Sequence, residues 1–325
     1  MAGGGIIGMN TDFKDIFKDI EISDRQWANS LLHYSDYRST EYNFTVLYIW
    51  KDTYKTRIAR LDDFLLIRSG DRETGFAYIF PAGRGDIKKA LDFIMEDAAR
   101  QNSPFTLVSV LEEQKKILEE LYPGRFSYTP ARNSFDYVYS ALDLITLKGK
   151  KFQSKRNFVS RFKSNPDWAF EPITKDNLQE CWQMNEEWCH LYGCTKDSSL
   201  SQESCSVRCA LKNFEALGLK GGLLRLSGKV VAFSIGEMLN SDTFLVHIEK
   251  AFADIQGAYP TISREFLLHC SNLPDGILSP ENESEIGFKY VNREDDAGDE
   301  GLRKAKLQYH PVFMIEKYIV AVSEK

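Results

Sequence analysis

Apolar positions recur at two periods along this chain, and the places where the period changes outline its elements. Phe13, Ile16, Phe17 and Ile20 fall at helical spacing, as do Trp27, Leu31 and Leu32, so residues 9–50 are expected to be helical. Ser23 or Asp24 would cap the second of these helices. Residues 64–68 and 76–80 read as strands, and Pro81-Ala-Gly-Arg-Gly-Asp86 turns the chain into an amphipathic helix near 86–100. A strand at 105–110, a helix at 112–121 and the stop Tyr122-Pro-Gly124 follow. Phe152, Phe158, Val159 and Phe162 then form the apolar face of another amphipathic helix. The second half reads as a strand at 168–171, helices at 176–191 and 203–217, and a hairpin of 221–226 with 230–238 about Ser227-Gly228. A strand at 243–249, a helix at 259–270, a short strand near Phe288 to Val291, a short helix from Leu302 and a last strand at 312–322 complete the pattern.

One stretch departs from ordinary amphipathic patterning. Phe288-Lys-Tyr-Val-Asn-Arg-Glu-Asp-Asp-Ala-Gly-Asp-Glu-Gly-Leu-Arg-Lys-Ala-Lys-Leu-Gln-Tyr-His-Pro311 packs Arg293 and five carboxylates (Glu294, Asp295, Asp296, Asp299, Glu300) into eight residues. Arg303, Lys304 and Lys306 follow on the short helix. Glycines 298 and 301 free the backbone between a strand's end and a helix, which suggests a shaped site; a charged surface connection is the plainer alternative.

Length and charge narrow the picture. A chain of 325 residues suggests two domains at ~150 residues each. With a net charge of -6 the molecule as a whole is no polyanion binder, so any nucleic-acid or phospholipid contact needs a local patch. One such patch exists. Lys148, Lys150, Lys151, Lys155, Arg156, Arg161 and Lys163 run with no acid between Asp143 and Asp167, and would anchor a phosphate-rich ligand or simply face water. No apolar run approaches the ~18 residues of a membrane span. Five of six cysteines lie between Cys181 and Cys209 without a Cys-x-x-Cys pair, so reduced thiols, no metal and a cytoplasmic location are expected. Residues 1–8 (MAGGGIIG) read as an expression scar or flexible lead.

The charged stretch resembles the motif N-R-E-x-D-x-G-x-x-G-L-R-x-A-K of uncharacterised relatives of the phosphatidylglycerol lysyltransferase C-terminal domain. Lys155-Arg-Asn-Phe-Val-Ser-Arg-Phe162, Val231-Ala-Phe-Ser-Ile-Gly-Glu237 and His247-Ile-Glu-Lys-Ala251 with Gly257-Ala-Tyr259 agree with it. The resemblance implies an α+β protein of two tandem GNAT-like (acyl-CoA N-acyltransferase-type) domains, each a mixed sheet flanked by helices. The expected division is 9–146, a basic junction helix at 147–166, and 167–325 carrying the site. It further implies transfer of an aminoacyl or acyl group to an amine or hydroxyl acceptor, such as a lipid headgroup or small metabolite. The donor would be aminoacyl-tRNA or a thioester such as acyl-CoA. Of the longer pyrophosphate loop used by acyl-CoA enzymes of this fold only Gln256-Gly257-Ala258 remains, before Tyr259. A non-catalytic module of the same fold, holding a charged metabolite or partner peptide, is the competing reading.

Candidate chemistry follows from residue types. Glu249 is the expected general base, with His247 and Glu237 in reserve and Tyr309 as a proton donor to the leaving group. Asn292, Arg293, Glu294, Arg303, Lys304 and Lys306 are expected to bind substrate, Arg offering a bidentate fork to phosphate. Adjacent carboxylates Glu294, Asp295 and Asp296 would hold a cation or an α-amino group. Gly257, Ala258 and Tyr259 open the helix whose free N–H groups suit an anion, and Lys155, Arg156 and Arg161 would contact tRNA or lipid.

Overall fold

The computed structural model describes residues 15–193, 199–273 and 283–323, so the expected lead at 1–8 and Phe13 lie outside the described residues. The first half runs β1 (Lys18–Asp19), α1 (Arg25–Ser35), α2 (Phe44–Ile49), α3 (Lys51–Tyr54), β2 (Arg57–Leu61), β3 (Phe64–Asp71) and β4 (Gly75–Gly83). It continues with α4 (Ile87–Arg100), β5 (Thr106–Val110), α5 (Glu112–Leu121), β6 (Phe126–Pro130), β7 (Asp136–Ser140) and α6 (Ala141–Thr146). After α7 (Gln153–Lys163) come β8 (Trp168–Pro172), α8 (Leu178–Tyr192), α9 (Ser199–Lys212), β9 (Lys220–Leu226), β10 (Lys229–Met238) and β11 (Thr243–Ala251). Last are α10 (Ala258–Cys270), β12 (Tyr290–Asn292), α11 (Glu300–Leu307), β13 (Phe313–Ile315) and β14 (Tyr318–Val322).

These strands form two mixed sheets of seven, in the orders β1-β2-β3-β4-β5-β14-β6 and β8-β9-β10-β11-β12-β7-β13. Each sheet is a meander, then a helix (α4 or α10), then a strand parallel to the meander's last strand (β5 on β4, β12 on β11). The sixth strand of each sheet comes from the other half of the chain. β7 crosses to lie between β12 and β13, and β14 crosses back to lie between β5 and β6. The exchange is reciprocal, and hydrophobic periodicity cannot announce it, because a period of two says nothing about which strand is the neighbour.

Two expectations are corrected here. The lead at 18–19 is a short strand on β2 rather than helix, because Phe17 and Ile20 bury themselves against the sheet instead of along one helical face. The single strand expected at 312–322 is two strands in two sheets, parted by the link Glu316–Lys317.

Packing explains why the halves stay together. On β3, Leu65 and Ile67 face α1 residues Ala28, Leu31 and Leu32, while Leu66 faces the opposite cluster containing Leu91, Ile94 and Leu118. The first of these clusters runs on into the second half through Tyr137, Tyr139, Phe162, Phe233, Phe244 and Phe266. One apolar core therefore spans both sheets.

A buried ion cluster sits at the two strand crossings. Lys317, 0% exposed, occupies the link from β13 to β14, and its Nζ lies 2.7 Å from Asp136 Oδ1 and 2.8 Å from Glu41 Oε2. Asp136 opens β7, and Ala131 N–H, on the link from β6 to β7, donates to the Lys317 carbonyl at 2.8 Å. One cation thus serves two carboxylates. Removing it leaves buried charge uncompensated, so Lys317→Met is expected to cost about 3–5 kcal/mol by chemical denaturation. Adding Asp136→Asn and Glu41→Gln to that variant should recover most of the loss; if the triple variant is as unstable as Lys317→Met, charge is not what the lysine supplies.

Candidate active site

β11 and β12 pair for only three registers, Thr243 with Tyr290, Phe244 with Val291 and Leu245 with Asn292. Beyond them the strands part, and side chains from both bridge the opening. Glu249 Oε1 accepts from Arg293 Nη2 at 2.5 Å, and His247 Nδ1 meets Glu294 Oε1 at 3.4 Å. His247 Nε2 lies 3.1 Å from Glu237 Oε1, which also accepts from Asn43 Nδ2 at 3.1 Å. Asn43 caps α2 by accepting from Val46 N–H, so the first half of the chain supplies one wall.

The charged stretch after β12 is shaped by its own hydrogen bonds. Glu294 (φ 57°) and Ala297 (φ 47°) are left-handed, a conformation costing a side-chain-bearing residue ~1–2 kcal/mol. Arg293 N–H donates to Tyr137 O at 3.0 Å and Tyr137 N–H donates to Glu294 O at 3.1 Å, holding the strained backbone to β7. Asn292 is central to the arrangement. Its Oδ1 accepts from Glu294 N–H at 2.7 Å, and its Nδ2 donates to Asp136 Oδ2 at 3.1 Å and to the Arg38 carbonyl at 2.8 Å. A polar ring is thereby closed: Glu41, Lys317, Asp136, Asn292, Glu294, His247, Glu237 and Asn43, two residues on from its start.

Charge states follow from this environment. Burial pulls the His247 imidazole down, but its hydrogen bonds to Glu237 and Glu294 and their charges outweigh that and hold it up at about 9. It is an imidazolium at neutral pH, donating from both nitrogens. Burial lifts Asp136 to about 6, with the Glu41 charge adding and Lys317 and Asn292 opposing. Asp295 is also raised, by burial and by Glu294, against Lys317 and Lys306. Asp296 goes the other way: Arg303, Tyr137 and the Gly298 N–H overcome its burial and hold the carboxyl far below the usual range.

The expected site residues divide between this opening and its surroundings. Glu249, His247, Asn292, Arg293 and Glu294 line the parting strands. Tyr309 is buried beside them: the Arg293 guanidinium lies 4.8 Å over its ring and Lys155 Nζ 4.2 Å over it. Arg293 Nη1, shut off from solvent, has no hydrogen-bond partner among the described residues. Lys306 Nζ donates to the Arg293 carbonyl at 2.6 Å and to the Asp295 carbonyl, closing the charged loop onto α11. Arg303 turns away to Asp296 (2.9 Å) and Asn133 (3.0 Å), and Lys304 is exposed.

On the other side, a Cβ at Gly257 would meet the Phe158 carbonyl at 2.3 Å, so α7 lies hard against the start of α10. Ala258 is buried and Tyr259 half-buried there. Arg161 Nη1 donates to Gln256 Oε1 at 2.5 Å, and Arg156 donates to the Leu147 carbonyl and, at 2.7 Å, to that of Gly149. Lys148, Lys151 and Lys163 pair with Glu283, Asp143 and Glu265, so acids missing from this stretch reach it mostly from elsewhere in the chain.

Glu41, Asp136, Lys317 and Tyr54 were missed by sequence reasoning. Tyr54 is exposed on α3, and its phenol is raised by the protein around it and by the charges of Asp295, Glu294 and Glu41. Nothing in its local pattern marks it, since the carboxylates it faces arrive from elsewhere in the chain. Among the described residues, no group of three His, Cys, Asp or Glu is placed to hold a metal ion. No helix among them is long and apolar enough to cross a membrane. Cys181, Cys205, Cys209 and Cys270 are free thiols, whereas Cys189 is disulfide-bonded, which corrects the expectation that all are reduced.

Two mixed sheets of matching strand order, each carrying one parallel pair after its meander, define a tandem GNAT-like α+β fold. The chain belongs to the family of the phosphatidylglycerol lysyltransferase C-terminal domain, whose pattern matches residues 34–321. It is similar to a conserved protein of unknown function from Bacteroides thetaiotaomicron, with 41% identity, a TM-score of 0.85, and cover of 94% of this chain and 99% of that one. L-PGS from Bacillus licheniformis shares the fold at 14% identity and a TM-score of 0.64, with 93% of each chain covered. An uncharacterised protein of Mycoplasmoides gallisepticum is 24% identical over 195 residues, 58% of this chain and only 57% of that relative's length.

The imidazolium makes a pH prediction. Its pKa is raised on folding, so the stabilisation is complete below the unfolded value of ~6.5 and is lost as pH climbs through about 9. Unfolding free energy should fall by on the order of 2–3 kcal/mol between pH 6.5 and 9.5. His247→Asn should flatten that decline. An unchanged slope in the variant would mean the ring is neutral in the folded protein.

Proposed function

We propose that this protein transfers an aminoacyl group from an ester donor, aminoacyl-tRNA, to a hydroxyl or amine acceptor on a lipid headgroup or small metabolite. The observation that supports it best is the parting of β11 and β12, bridged by charged groups of the second half and walled by the Asn43 amide of the first, with the Asp295 carboxyl on the loop that follows β12 shifted toward its neutral form. The reaction needs the acceptor's N–H or O–H proton removed as its heteroatom attacks the ester carbonyl. It then needs the same proton returned to the departing ribose oxygen. A carboxyl whose pKa is lifted toward working pH suits both tasks. Glu249, held by Arg293 at 2.5 Å, is better placed to orient the guanidinium than to act as base. In this reading the base is Asp295. Arg293, with its unpartnered Nη1, and the His247 imidazolium would steady charge developing on the carbonyl oxygen.

The family relationship supports aminoacyl or acyl transfer as the reaction class. A thioester donor fits less well, because α7 closes against Gly257 at the start of α10, where acyl-CoA enzymes of this fold seat the pyrophosphate. The competing reading is a binding module. Its support is the pairing of Arg303 with Asp296 and of Lys306 with two backbone carbonyls, which clasps the charged loop to α11.

The test uses the purified chain with a mixed pool of radiolabelled aminoacyl-tRNAs, anionic-lipid vesicles and a panel of small amines. Label should pass to an acceptor, and Asp295→Asn should slow that transfer ~10²–10⁴-fold. The melting temperature should stay within ~2 °C of wild type, since among the described residues the Asp295 side chain makes no ion pair, and asparagine keeps an oxygen to accept from Ala297 N–H. Undiminished transfer by Asp295→Asn removes it from the mechanism. No transfer from any donor, with a charged ligand retained in native mass spectrometry, favours the binding module.

A further inference from the structure

We propose that the first half of the chain carries a second binding site, for a small multivalent oxyanion, which two aspartates of its own lead segment, Asp15 and Asp19, now occupy in part. A cavity of about 970 Å³ lies between α3, the ends of β2, β3 and β4, and the C-terminal end of α4. Its volume is within the ~300–1,000 Å³ of small-molecule sites. Six bases line it: Lys51, Lys55, Arg57, Arg68, Arg72 and Arg100. In a chain of net charge -6, that convergence is not a product of composition.

The five lining acids fall into two sets. Asp52, Asp71 and Asp97 belong to the elements forming the walls, whereas Asp15 and Asp19 come from the lead segment that runs into and through β1. Arg68 is fixed in place, its side chain 3% exposed between the rings of Phe17 (4.3 Å) and Phe76 (4.8 Å). Its Nη1 holds Asp97 at 2.8 Å, and its Nη2 holds Asp15 at 2.8 Å. Arg57 Nε holds Asp19 at 3.0 Å. The two lead carboxylates are 39% and 81% exposed, so solvent already competes for them. Phe17 and Ile20 are buried, and Lys51 Nζ donates to the Ile20 carbonyl at 2.8 Å, so the strand stays seated when those carboxylates swing away.

Without them the cavity presents six bases to three lining acids, with Lys55 kept on Asp71 and Arg100 on Glu96 at 2.9 Å. Arg72, exposed on the β3–β4 turn, has no ion-pair or hydrogen-bond partner for its guanidinium among the described residues. Arg57 and Arg72 then offer guanidinium forks, and Arg68 its Nη2, to one ligand. Such forks match phosphate and carboxylate oxygens in pairs, and an anion with several oxygens outcompetes two exposed single carboxylates. The site uses no residue of the parting strands and is independent of the transfer reaction.

Titration calorimetry at low salt on the whole chain tests this with two probes, inorganic pyrophosphate and citrate, which separate phosphate from carboxylate recognition. Wild-type protein should bind at least one of them. Asp15→Asn with Asp19→Asn frees the arginines and should tighten that binding by ~10-fold or more. Arg57→Gln with Arg72→Gln removes two rim forks without touching the buried Arg68, and should weaken it ~10-fold or more while leaving the melting temperature in place. Binding of neither probe by wild type and by the double-asparagine variant overturns the proposal. So does binding that the double-glutamine variant leaves unchanged, because the ion then sits elsewhere.

Discussion

The arrangement the rest of the structure depends on is the closed ring of polar groups between the two sheets. It places four carboxylates (Glu41, Asp136, Glu294, Glu237) and two cations (Lys317, His247) in a region from which water is largely excluded. Each member is expensive to bury alone, and the ring tolerates them because each hydrogen-bonds the next from Glu41 round to Asn43, whose ends the backbone of Tyr42 joins. Asn292 joins the two charged arcs, giving one amide hydrogen to Asp136 and taking one from the Glu294 backbone. Because the ring begins at Glu41 and ends at Asn43, the short segment before α2 is held at both sides of a single residue, Tyr42.

The strand exchange gives that ring its position. β7 and β14 each leave their own half, and the link before β7 and the link before β14 meet where Ala131 donates to the Lys317 carbonyl. The two halves share one apolar core as well as two strands, so the opening between β11 and β12 has rigid walls from both. Rigidity allows the left-handed Glu294 and Ala297 to persist, since strained backbone survives where surrounding bonds overdetermine it. A site built this way is preorganised: Glu294 and Asp295 are aimed by hydrogen bonds to β7, α11 and Asn292.

Much of this was legible in the amino-acid order, and the limits have physical causes. The hairpin about Ser227-Gly228 was readable because both residues take positive φ, 49° and 80°, as a two-residue turn between twisted strands requires. The charged stretch was readable because glycines and charges between a strand and a helix have few other uses. Lys317 was not, since a lysine near a chain terminus looks like any solvated one until the fold brings Asp136 and Glu41 to it. The partners of the basic run at 148–163 were hidden for the same reason: Glu265 and Glu283 pair with Lys163 and Lys148 across about a hundred residues or more. The pairing of Glu249 with Arg293 was hidden because Arg293 lies 44 residues on, just past the end of another strand.

Hydrogen–deuterium exchange tests most directly whether the ring ties the charged loop to the strand crossings. Amides of residues 292–299 and of β14 should be protected to a similar degree in the wild-type protein. Glu41→Gln, which lies in neither segment, should speed exchange in both together, because it removes a partner of Lys317 while leaving Asp136 and Asn292 in place. If Glu41→Gln loosens β14 alone and the amides at 292–299 keep their wild-type rates, the loop is held locally and the ring is not the structure's organising constraint.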